Sequence, residues 1–328
     1  MQTARNLRSF VLFTLTLGAI TACTTVAAAR WHWAGELASS FRWQLGGAGL
    51  VSAALLLLLR ARRHALLFCA LSGWLLWPGG SLYVPRFRAP VDGAALRVAT
   101  INVLASNRDG ERVRGWIRAE DPDVVAVQEV GLFWLQELRK LEDRWPYRLT
   151  TVADERQIHE QTFTMALLSK RALRLVECLG EERRGGGIVA ELELEGRAVR
   201  VVIAHPGRPG RRGLVPRRNQ ILAQVAERAA AADAAGAACV VLGDLNTSSG
   251  SPAFARLLRD GRLGDSRRGF GRQPTWRMER PIPGVWVDID HVLVNDSFDV
   301  ADRRRGPDTG SDHRPVAADL ILRPTTPN

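Results

Sequence analysis

Lysine is almost missing from this sequence of 328 residues, in which only Lys140 and Lys170 occur among 45 basic residues. The dominance of arginine indicates a bias in codon composition, although arginine is also the better bidentate partner for phosphate. Cysteine is scarce as well, because there are only four, and no pair has the spacing of metal ligands. The sequence therefore predicts neither a disulfide framework nor a cysteine-based zinc site.

Several motifs are also missing. The chain has no internal repeat, no HExxH pattern and no glycine-rich phosphate loop, and the short run Gly185–Gly187 predicts a turn. With 46% hydrophobic and 24% charged residues, the composition excludes a disordered or low-complexity chain.

The positive charge is concentrated in the N-terminal third. The formal net charge is +11, but residues 1–95 hold 9 basic and 2 acidic residues, whereas residues 96–328 hold 36 and 32. The overall charge is therefore no argument for binding of nucleic acid by the C-terminal part.

Three apolar runs open the chain, and a bilayer core needs about 20 apolar residues. They predict a membrane region over residues 1–84 with about three transmembrane helices, at roughly 9–29, 42–59 and 64–84. Residues 85–95, which contain two prolines and a glycine, predict an extended linker to a domain over residues 96–328.

The arginines that flank these runs favour a cytoplasmic N-terminus by five to four. This orientation places the large C-terminal domain outside the cytoplasm. Two alternatives exist: a cleaved signal peptide, because Ile20–Cys23 resembles a lipoprotein cleavage box, and a buried helical hairpin.

From Leu96 onward, short β-rich runs alternate with amphipathic helices. The strands LRVATINVL, DVVAVQEV, AVRVVIAH and ACVVLGDLN are separated by helices such as Arg217 to Ala235, and WVDIDHVLV and HRPVAADLIL are the last strands. This order predicts an α/β fold of the α+β type, in which helices cover the sheets.

Polar side chains lie at or near the ends of these strands. They are Asn102, Glu129, His205, Asp244, Asn246, Asp290, Asp312 and His313. Oxygen ligands with imidazoles suit Mg²⁺ or Mn²⁺ better than zinc, and this set suits phosphoester hydrolysis. Each residue alone has an ordinary structural interpretation, such as a surface acid, a turn or a cap; the set in this order is the stronger indication.

The sequence resembles the endonuclease/exonuclease/phosphatase (DNase I-like) superfamily. The matching segments are ATINV, VVAVQEV, VVIAHP, VVLGDLNTSSGSPAF, IDHVLV and GSDHRPV. The membrane region and GRQPTW before IDHVLV are similar to a bacterial membrane-attached branch. The resemblance implies a four-layer α/β sandwich and a multi-pass protein of the bacterial inner membrane.

The resemblance also implies roles. Glu129, Asn102 and Asp312 would hold the metal, Asp244 would activate water and Asn246 would hold a phosphate oxygen. Asp290 would orient His313 on the scissile phosphate, and His205 would be a second phosphate-binding imidazole or a general acid.

Arg218, at a helix start shared with the family, is the candidate substrate-binding residue, within a basic stretch that includes Arg208, Arg211 and Arg212. No role is assigned to His291 or to the unaligned His159. Trp276 is a candidate for substrate stacking at the rim of the site, although core packing is favoured.

These observations predict a membrane-anchored, Mg²⁺- or Mn²⁺-dependent phosphodiesterase or phosphatase. The substrate stays open between nucleic acid, as for a nuclease, and a lipid or small phosphoester, as for a sphingomyelinase. A non-enzymatic alternative is a membrane-bound binding protein that has kept the fold. The lipid bilayer is the expected partner of the N-terminal helices, and the sequence indicates no protein partner.

Overall fold

A computed structural model describes residues 2–85, 92–152, 164–180, 185–209, 213–278 and 284–324 of the chain. The side chains of residues 2–5 and 185 are not described. His159, Arg211, Arg212 and most of the predicted linker lie outside the described residues.

Four helices form the N-terminal region: α1 (Gln2–Ala27), α2 (Trp33–Ser39), α3 (Arg42–Leu58) and α4 (Arg62–Gly80). Two segments, Asn6–Arg30 and Arg62–Tyr83, are long and apolar enough to cross a membrane. The helices α2 and α3 pass the same test only as a pair, and the chain bends by 68° between them. The second predicted span, at roughly 42–59, is therefore not long enough by itself, because α3 has 17 residues. Together with α2 it is either a broken span or a re-entrant segment, with the break at Ser40 and Phe41.

Fourteen strands and four further helices make up the described part of the C-terminal domain. The helices are α5 (Gly110–Glu120), α6 (Leu132–Arg139), α7 (Leu214–Ala234) and α8 (Pro252–Asp260). The strands are β1 (Ala95–Asn102), β2 (Val124–Val130), β3 (Tyr147–Thr150), β4 (Thr164–Ser169), β5 (Arg174–Gly180), β6 (Gly185–Leu194), β7 (Arg197–Pro206), β8 (Ala238–Asp244), β9 (Gly264–Asp265), β10 (Trp276–Met278), β11 (Val285–Val287), β12 (Asp290–Val294), β13 (Phe298–Arg305) and β14 (Val316–Leu322).

The strands form two six-stranded sheets and one hairpin. The first sheet has the order β13-β14-β1-β2-β4-β3, the second the order β5-β6-β7-β8-β12-β9, and β10 pairs with β11. In each large sheet the central pair, β1 with β2 and β7 with β8, is parallel. The carboxyl ends of each parallel pair therefore lie together at one edge of its sheet.

The layers follow from the apolar faces of the strands. One core joins the inner faces of the two sheets, with Val98 and Leu167 from one and Val201 and Leu242 from the other. A second core lies between the first sheet and α5 with α6, and a third between the second sheet and α7 with α8. The domain is a four-layer α/β sandwich, as the resemblance implied.

Local sequence signals explain several elements. Glu195 and Gly196 have φ of 50° and 75° and form the tight turn between β6 and β7. The Ser251 hydroxyl caps α8 by accepting a hydrogen bond from the Ala253 amide, with Pro252 at the first position. The turn predicted at Gly185–Gly187 is wrong: these residues begin β6 and pair with β7, and Gly186 and Gly187 also pair with β5.

A buried ion cluster lies behind β12. The guanidinium of Arg267, fully buried, contacts the Asp265 carboxylate at 2.6 Å and also pairs with Asp288. Burial opposes ionisation of Asp265, but the charge of Arg267 outweighs it and lowers the pKa of Asp265 to about 2. Because Asp288 is two residues before Asp290, this cluster fixes the chain that leads into β12.

Replacing Arg267 with methionine should destabilise the protein strongly, because two buried carboxylates lose their partner. We expect a loss of roughly 3–5 kcal/mol, seen as a lower midpoint of thermal unfolding followed by tryptophan fluorescence in detergent. The matched control is Arg259→Met, whose pair with Asp260 is on the surface and should cost less than about 1 kcal/mol. Equal midpoints for both variants would contradict this assignment.

The same cluster predicts a pH dependence. The pKa of Asp265 is lower in the folded protein than its unfolded value of about 3.9. Its contribution is therefore fully present above about pH 4 and is lost as the pH falls towards 2. The difference in unfolding midpoint between wild type and Asp265→Asn should be largest near neutral pH and shrink on acidification, and a difference that is constant with pH would argue against an ionised Asp265.

Candidate active site

The two parallel strand pairs deliver the predicted polar residues to a common cleft. Asn102 ends β1, Glu129 is the penultimate residue of β2, and Asp244 ends β8. Each follows a run of buried, mostly apolar residues. His205 is near the end of β7, the parallel neighbour of β8. The inner faces of the sheets pack together, so these edges meet and the side chains point towards one another.

Two of these residues have an unusual backbone. Glu129 has φ of 62°, and the pairing of β2 with β4 shifts register between Gln128 and Val130. A bulge of this kind redirects one side chain, here that of Glu129, away from the regular alternation of the strand. Asn246 also lies in the left-handed region, with φ of 48°, and such conformations concentrate at functional sites.

Gly243 is required beside Asp244. Its φ is 139°, and a Cβ at this position would lie 2.1 Å from the carbonyl oxygen of Ala204 in β7. Only glycine allows β8 to approach β7 closely enough here, which brings Asp244 next to His205.

The side-chain amide of Asn102 connects the two sheets. Its nitrogen donates to Glu129 Oε1 at 3.0 Å and to Asp244 Oδ2 at 3.1 Å. Its oxygen accepts a hydrogen bond from the Leu104 amide at 3.0 Å, which fixes the orientation of the group. The second Glu129 oxygen accepts from the Ala105 amide at 3.1 Å.

His205 lies against the same two carboxylates. Its Nε2 is 3.5 Å from Asp244 Oδ2 and 3.9 Å from Glu129 Oε1. Burial alone would lower the pKa of His205, but the hydrogen bond to Asp244 and the charges of both carboxylates outweigh it and raise the pKa.

His313 is held by Asp290. Its Nδ1 lies 2.9 Å from Asp290 Oδ2, and its Nε2 lies 3.7 Å from Asp244 Oδ2 and 3.9 Å from Asp312 Oδ1. Burial favours the neutral ring, yet the charges of Asp290 and Asp244 prevail and raise the pKa of His313 to about 10. At neutral pH the ring is therefore an imidazolium aimed into the cleft.

Asp244 is the complementary anion. It is buried, which opposes ionisation, but His313 and His205 hold the pKa of its carboxyl well below the usual range. Its Oδ1 accepts from the Asn246 amide at 3.0 Å, and the Asn246 side chain donates to the carbonyl of Pro206 at 2.9 Å. The chain after β8 is thus tied to the end of β7.

The cleft has a volume of about 190 Å³. Its polar lining residues include Glu129, Asp244, Asn246, Asp312 and His313. Arg208 is exposed at the rim and is the one arginine among the described lining residues.

The donor set fits a hard cation. Asp290 Oδ1 and Asp312 Oδ1 are buried and accept no hydrogen bond from the residues that the structure describes. Ligand atoms of Asp244, Asp290 and His313 lie within 4.8 Å of one another, an arrangement that could hold a metal ion. The ring of His313 is already hydrogen-bonded to Asp290. The carboxylate oxygens are therefore more suitable ligands for Mg²⁺ or Mn²⁺ than this imidazole.

Arg218 differs from its predicted role. Its side chain is only 1% exposed and pairs with Glu36 of α2, with 2.6 Å between Nη2 and Oε1. It also donates to the carbonyl of Asn246 at 3.0 Å. Because these groups enclose the guanidinium, it supports the loop after β8 and does not line the cleft.

Two further residues are now located. His291 is buried against Phe254, and its Nε2 contacts the Thr247 carbonyl at 2.8 Å, which is a packing role. Trp276 lines the cleft and donates from Nε1 to Asp312 Oδ2 at 2.9 Å. The favoured core interpretation of Trp276 therefore misses its contact with a site carboxylate.

Sequence reasoning also missed contacts made by ordinary residues. Ser311 donates to the Asn102 carbonyl at 2.8 Å and accepts from the His313 amide at 3.1 Å, which joins the last loop to β1. Leu37, Ser40 and Phe41 of the N-terminal region line the cleft. No motif in the sequence predicts that these three residues line the cleft, because this depends on how α2 and α3 pack against the domain.

The domain is similar to several solved structures. Truncated TDP2 from Caenorhabditis elegans is 15% identical, with a TM-score of 0.57, over 71% of this chain and 100% of that chain. The human Nocturnin catalytic domain is 16% identical, with a TM-score of 0.54, over 71% and 96%. An endonuclease/exonuclease/phosphatase from Beutenbergia cavernae is 22% identical, with a TM-score of 0.54, over 70% and 72%.

At these identities the structural similarity establishes the fold alone. Comparison with curated protein sequences finds no match. The sequence profile of the endonuclease/exonuclease/phosphatase family, however, matches residues 99–313, which run from β1 to the imidazole that faces Asp244. The chain belongs to the endonuclease/exonuclease/phosphatase family.

Proposed function

We propose that this protein is a membrane-attached, divalent-metal-dependent hydrolase of phosphoester bonds. The observation that carries the proposal is the Asn102 amide, which holds Glu129 and Asp244 on opposite sheets within one cleft beside His313. Carboxylates and imidazoles gathered in this way can bind a cation and a phosphate together.

Glu129, Asn102 and Asp312 are the residues that would hold Mg²⁺ or Mn²⁺. The supporting observation is the buried Oδ1 of Asp312, which accepts no hydrogen bond from the described part of the chain. The cation, when bound, supplies positive charge that neutralises phosphate oxygens and lowers the barrier to attack.

The remaining residues orient water, bind the phosphate and supply a proton. Asp244 is anionic, so it can accept a hydrogen bond from the attacking water and orient it. His313, kept cationic by Asp290, can donate a hydrogen bond to the phosphate as negative charge develops on it. Asn246 and His205 stand on either side of Asp244 and would hold a second phosphate oxygen or protonate the leaving group.

Arg208 is a better candidate for substrate contact than Arg218. It is exposed at the rim of the cleft, whereas Arg218 is buried in an ion pair. A guanidinium at the rim can bind the part of a phosphoester that does not react.

The two N-terminal segments that could cross a membrane support attachment to the bacterial inner membrane. We propose a multi-pass arrangement, with the domain over 96–328 on the extracytoplasmic side, as the arginine distribution favours.

A nuclease is the second candidate. The observation that favours it is the similarity to Danio rerio TDP2, whose structure was solved in complex with a single-stranded DNA product. The binding protein without activity is disfavoured by the complete cluster around Asp244. Failure to hydrolyse any class of phosphoester in the presence of Mg²⁺ and Mn²⁺ would restore it.

Replacing His313 with asparagine should reduce hydrolysis of a generic phosphodiester by about 10²-fold or more, because the cationic donor is lost. Release of nitrophenol from bis(4-nitrophenyl) phosphate with Mg²⁺ or Mn²⁺ measures this. His64→Asn, in the first turn of α4, is the control and should retain full activity. Retention of activity by the His313 variant would remove the basis of the mechanism.

Replacing Glu129 with glutamine should raise the concentration of Mn²⁺ or Mg²⁺ needed for half-maximal activity by about tenfold or more, since a charged ligand is lost. A titration of activity after treatment with EDTA measures the shift. Glu142→Gln removes an exposed carboxylate paired with Arg148 and should leave the titration unchanged. An identical curve for the Glu129 variant would exclude it as a ligand.

The exposed thiol of Cys178 on β5 tests the topology. A membrane-impermeant maleimide should label it in spheroplasts and should fail to label it in sealed inside-out vesicles. Cys178→Ser identifies labelling at other sites. The opposite pattern would place the domain in the cytoplasm.

A further inference from the structure

The cleft is lined by two kinds of side chain. One kind comprises the carboxylates and His313, and the other is a set of apolar side chains. The apolar set consists of Leu37, Phe41, Trp276, Met278, Val287 and Ile289. Leu37 and Phe41 come from the N-terminal region, so this set is shared between the predicted membrane region and the catalytic domain.

The segment that supplies Leu37 and Phe41 is anchored firmly. Glu36, next to Leu37 and only 2% exposed, forms the buried pair with Arg218 and accepts a hydrogen bond from Ser251. The same Arg218 donates a hydrogen bond to the carbonyl of Asn246, which lies in the loop after β8. The position of α2 is therefore coupled to the loop that carries Asn246.

The start of α3 is anchored as well. Gln44 donates to the carbonyl of Trp286 at 2.7 Å, and Arg272 lies over the ring of Trp43 at 5.4 Å. Gly250 is so close to α2 that a Cβ there would lie 2.6 Å from the Ser39 carbonyl oxygen. Contacts on both sides of Ser40 and Phe41 fix the bend over the cleft.

The bend joins the cleft to a segment that is a candidate for membrane insertion. Phe41 immediately precedes α3, an apolar helix that passes the test for a membrane span together with α2. Arginine and tryptophan at Arg42 and Trp43 are typical of a membrane–water interface. A hydrocarbon chain anchored in the bilayer can reach the apolar side chains of the cleft from this side, with its phosphate at the cluster around Asp244.

We propose that α2 and the bend before α3 are part of the active site, and that they form an apolar subsite for the hydrocarbon chain of an amphipathic phosphoester supplied by the bilayer. The inference rests on the proposed hydrolase function. Leu37 and Phe41 determine specificity, and Glu36 positions them. The cleft is selective because apolar side chains receive the hydrocarbon chain, while the cluster around Asp244 receives the phosphate.

The test uses the full chain in lipid nanodiscs with Mg²⁺ or Mn²⁺ and a series of alkyl 4-nitrophenyl phosphates, from methyl to octyl. In wild type, kcat/KM should rise by up to about fourfold for each methylene that enters the subsite. The ratio of octyl to methyl ester should fall at least about tenfold in Phe41→Ala and in Leu37→Ala.

Leu57→Ala is the matched control, because Leu57 is an exposed residue of α3 that does not line the cleft. Partition of the longer esters into lipid is the same for all variants, so only a change in the ratio reports the subsite. Because Leu37 is exposed, its variant should fold even if Phe41→Ala does not.

The outcomes separate the two proposals. If wild type hydrolyses no ester of the series, including the methyl ester, the hydrolase function itself fails. If the methyl ester is hydrolysed but the ratio is near one, or is equal in wild type and the Leu37 variant, the subsite is overturned while the hydrolase stands. Cleavage of a single-stranded oligonucleotide more efficient than that of the octyl ester would overturn it as well.

Discussion

The contact between the edges of two sheets governs this structure. Each sheet places one parallel strand pair at its centre, and the pairs end in Asn102 and Glu129 on one side and in His205 and Asp244 on the other. A single amide nitrogen donates across the gap to carboxylates of both sheets. The relative position of the sheets is set by a large apolar core, so the geometry of the cleft depends on packing far from it.

This arrangement also sets the charges. Four acidic side chains in one small volume would repel one another, and burial would favour their neutral forms. For Asp244 the charges of the two imidazoles outweigh burial and lower the pKa of its carboxyl, so that it stays ionised. The pKa of Asp290, in contrast, is raised, chiefly by burial and by the charge of Asp244. The cleft therefore holds a charged pair of opposite sign, Asp244 and His313. Because both side chains are buried, each charge acts on a substrate with little screening.

Much of the fold could be predicted from the sequence because its signals are local. Alternating and continuous apolar runs identify strands, and Ser251 with Pro252 marks the start of α8. The site residues could be nominated because each follows an apolar run in an order shared with a known family. Arg218 could not be assigned correctly, since its partner Glu36 is 182 residues away and no local pattern relates the two. The strand at Gly185–Gly187 was missed for a similar reason. Its conformation is decided by pairing with the neighbouring strands β5 and β7, and not by the local preference of glycine.

The salt bridge between Glu36 and Arg218 makes the N-terminal helices more than a tether. A simple tether could be replaced by any other sequence of the same length and hydropathy. The N-terminal helices of this protein instead place the Glu36 carboxylate against Arg218, beside the loop after β8. Glu36 and Arg218 would have to change together during divergence, and a chimera that joins the domain to a foreign anchor would leave a guanidinium without its counter-ion beside Asn246. The two regions are thus expected to be inherited as one unit.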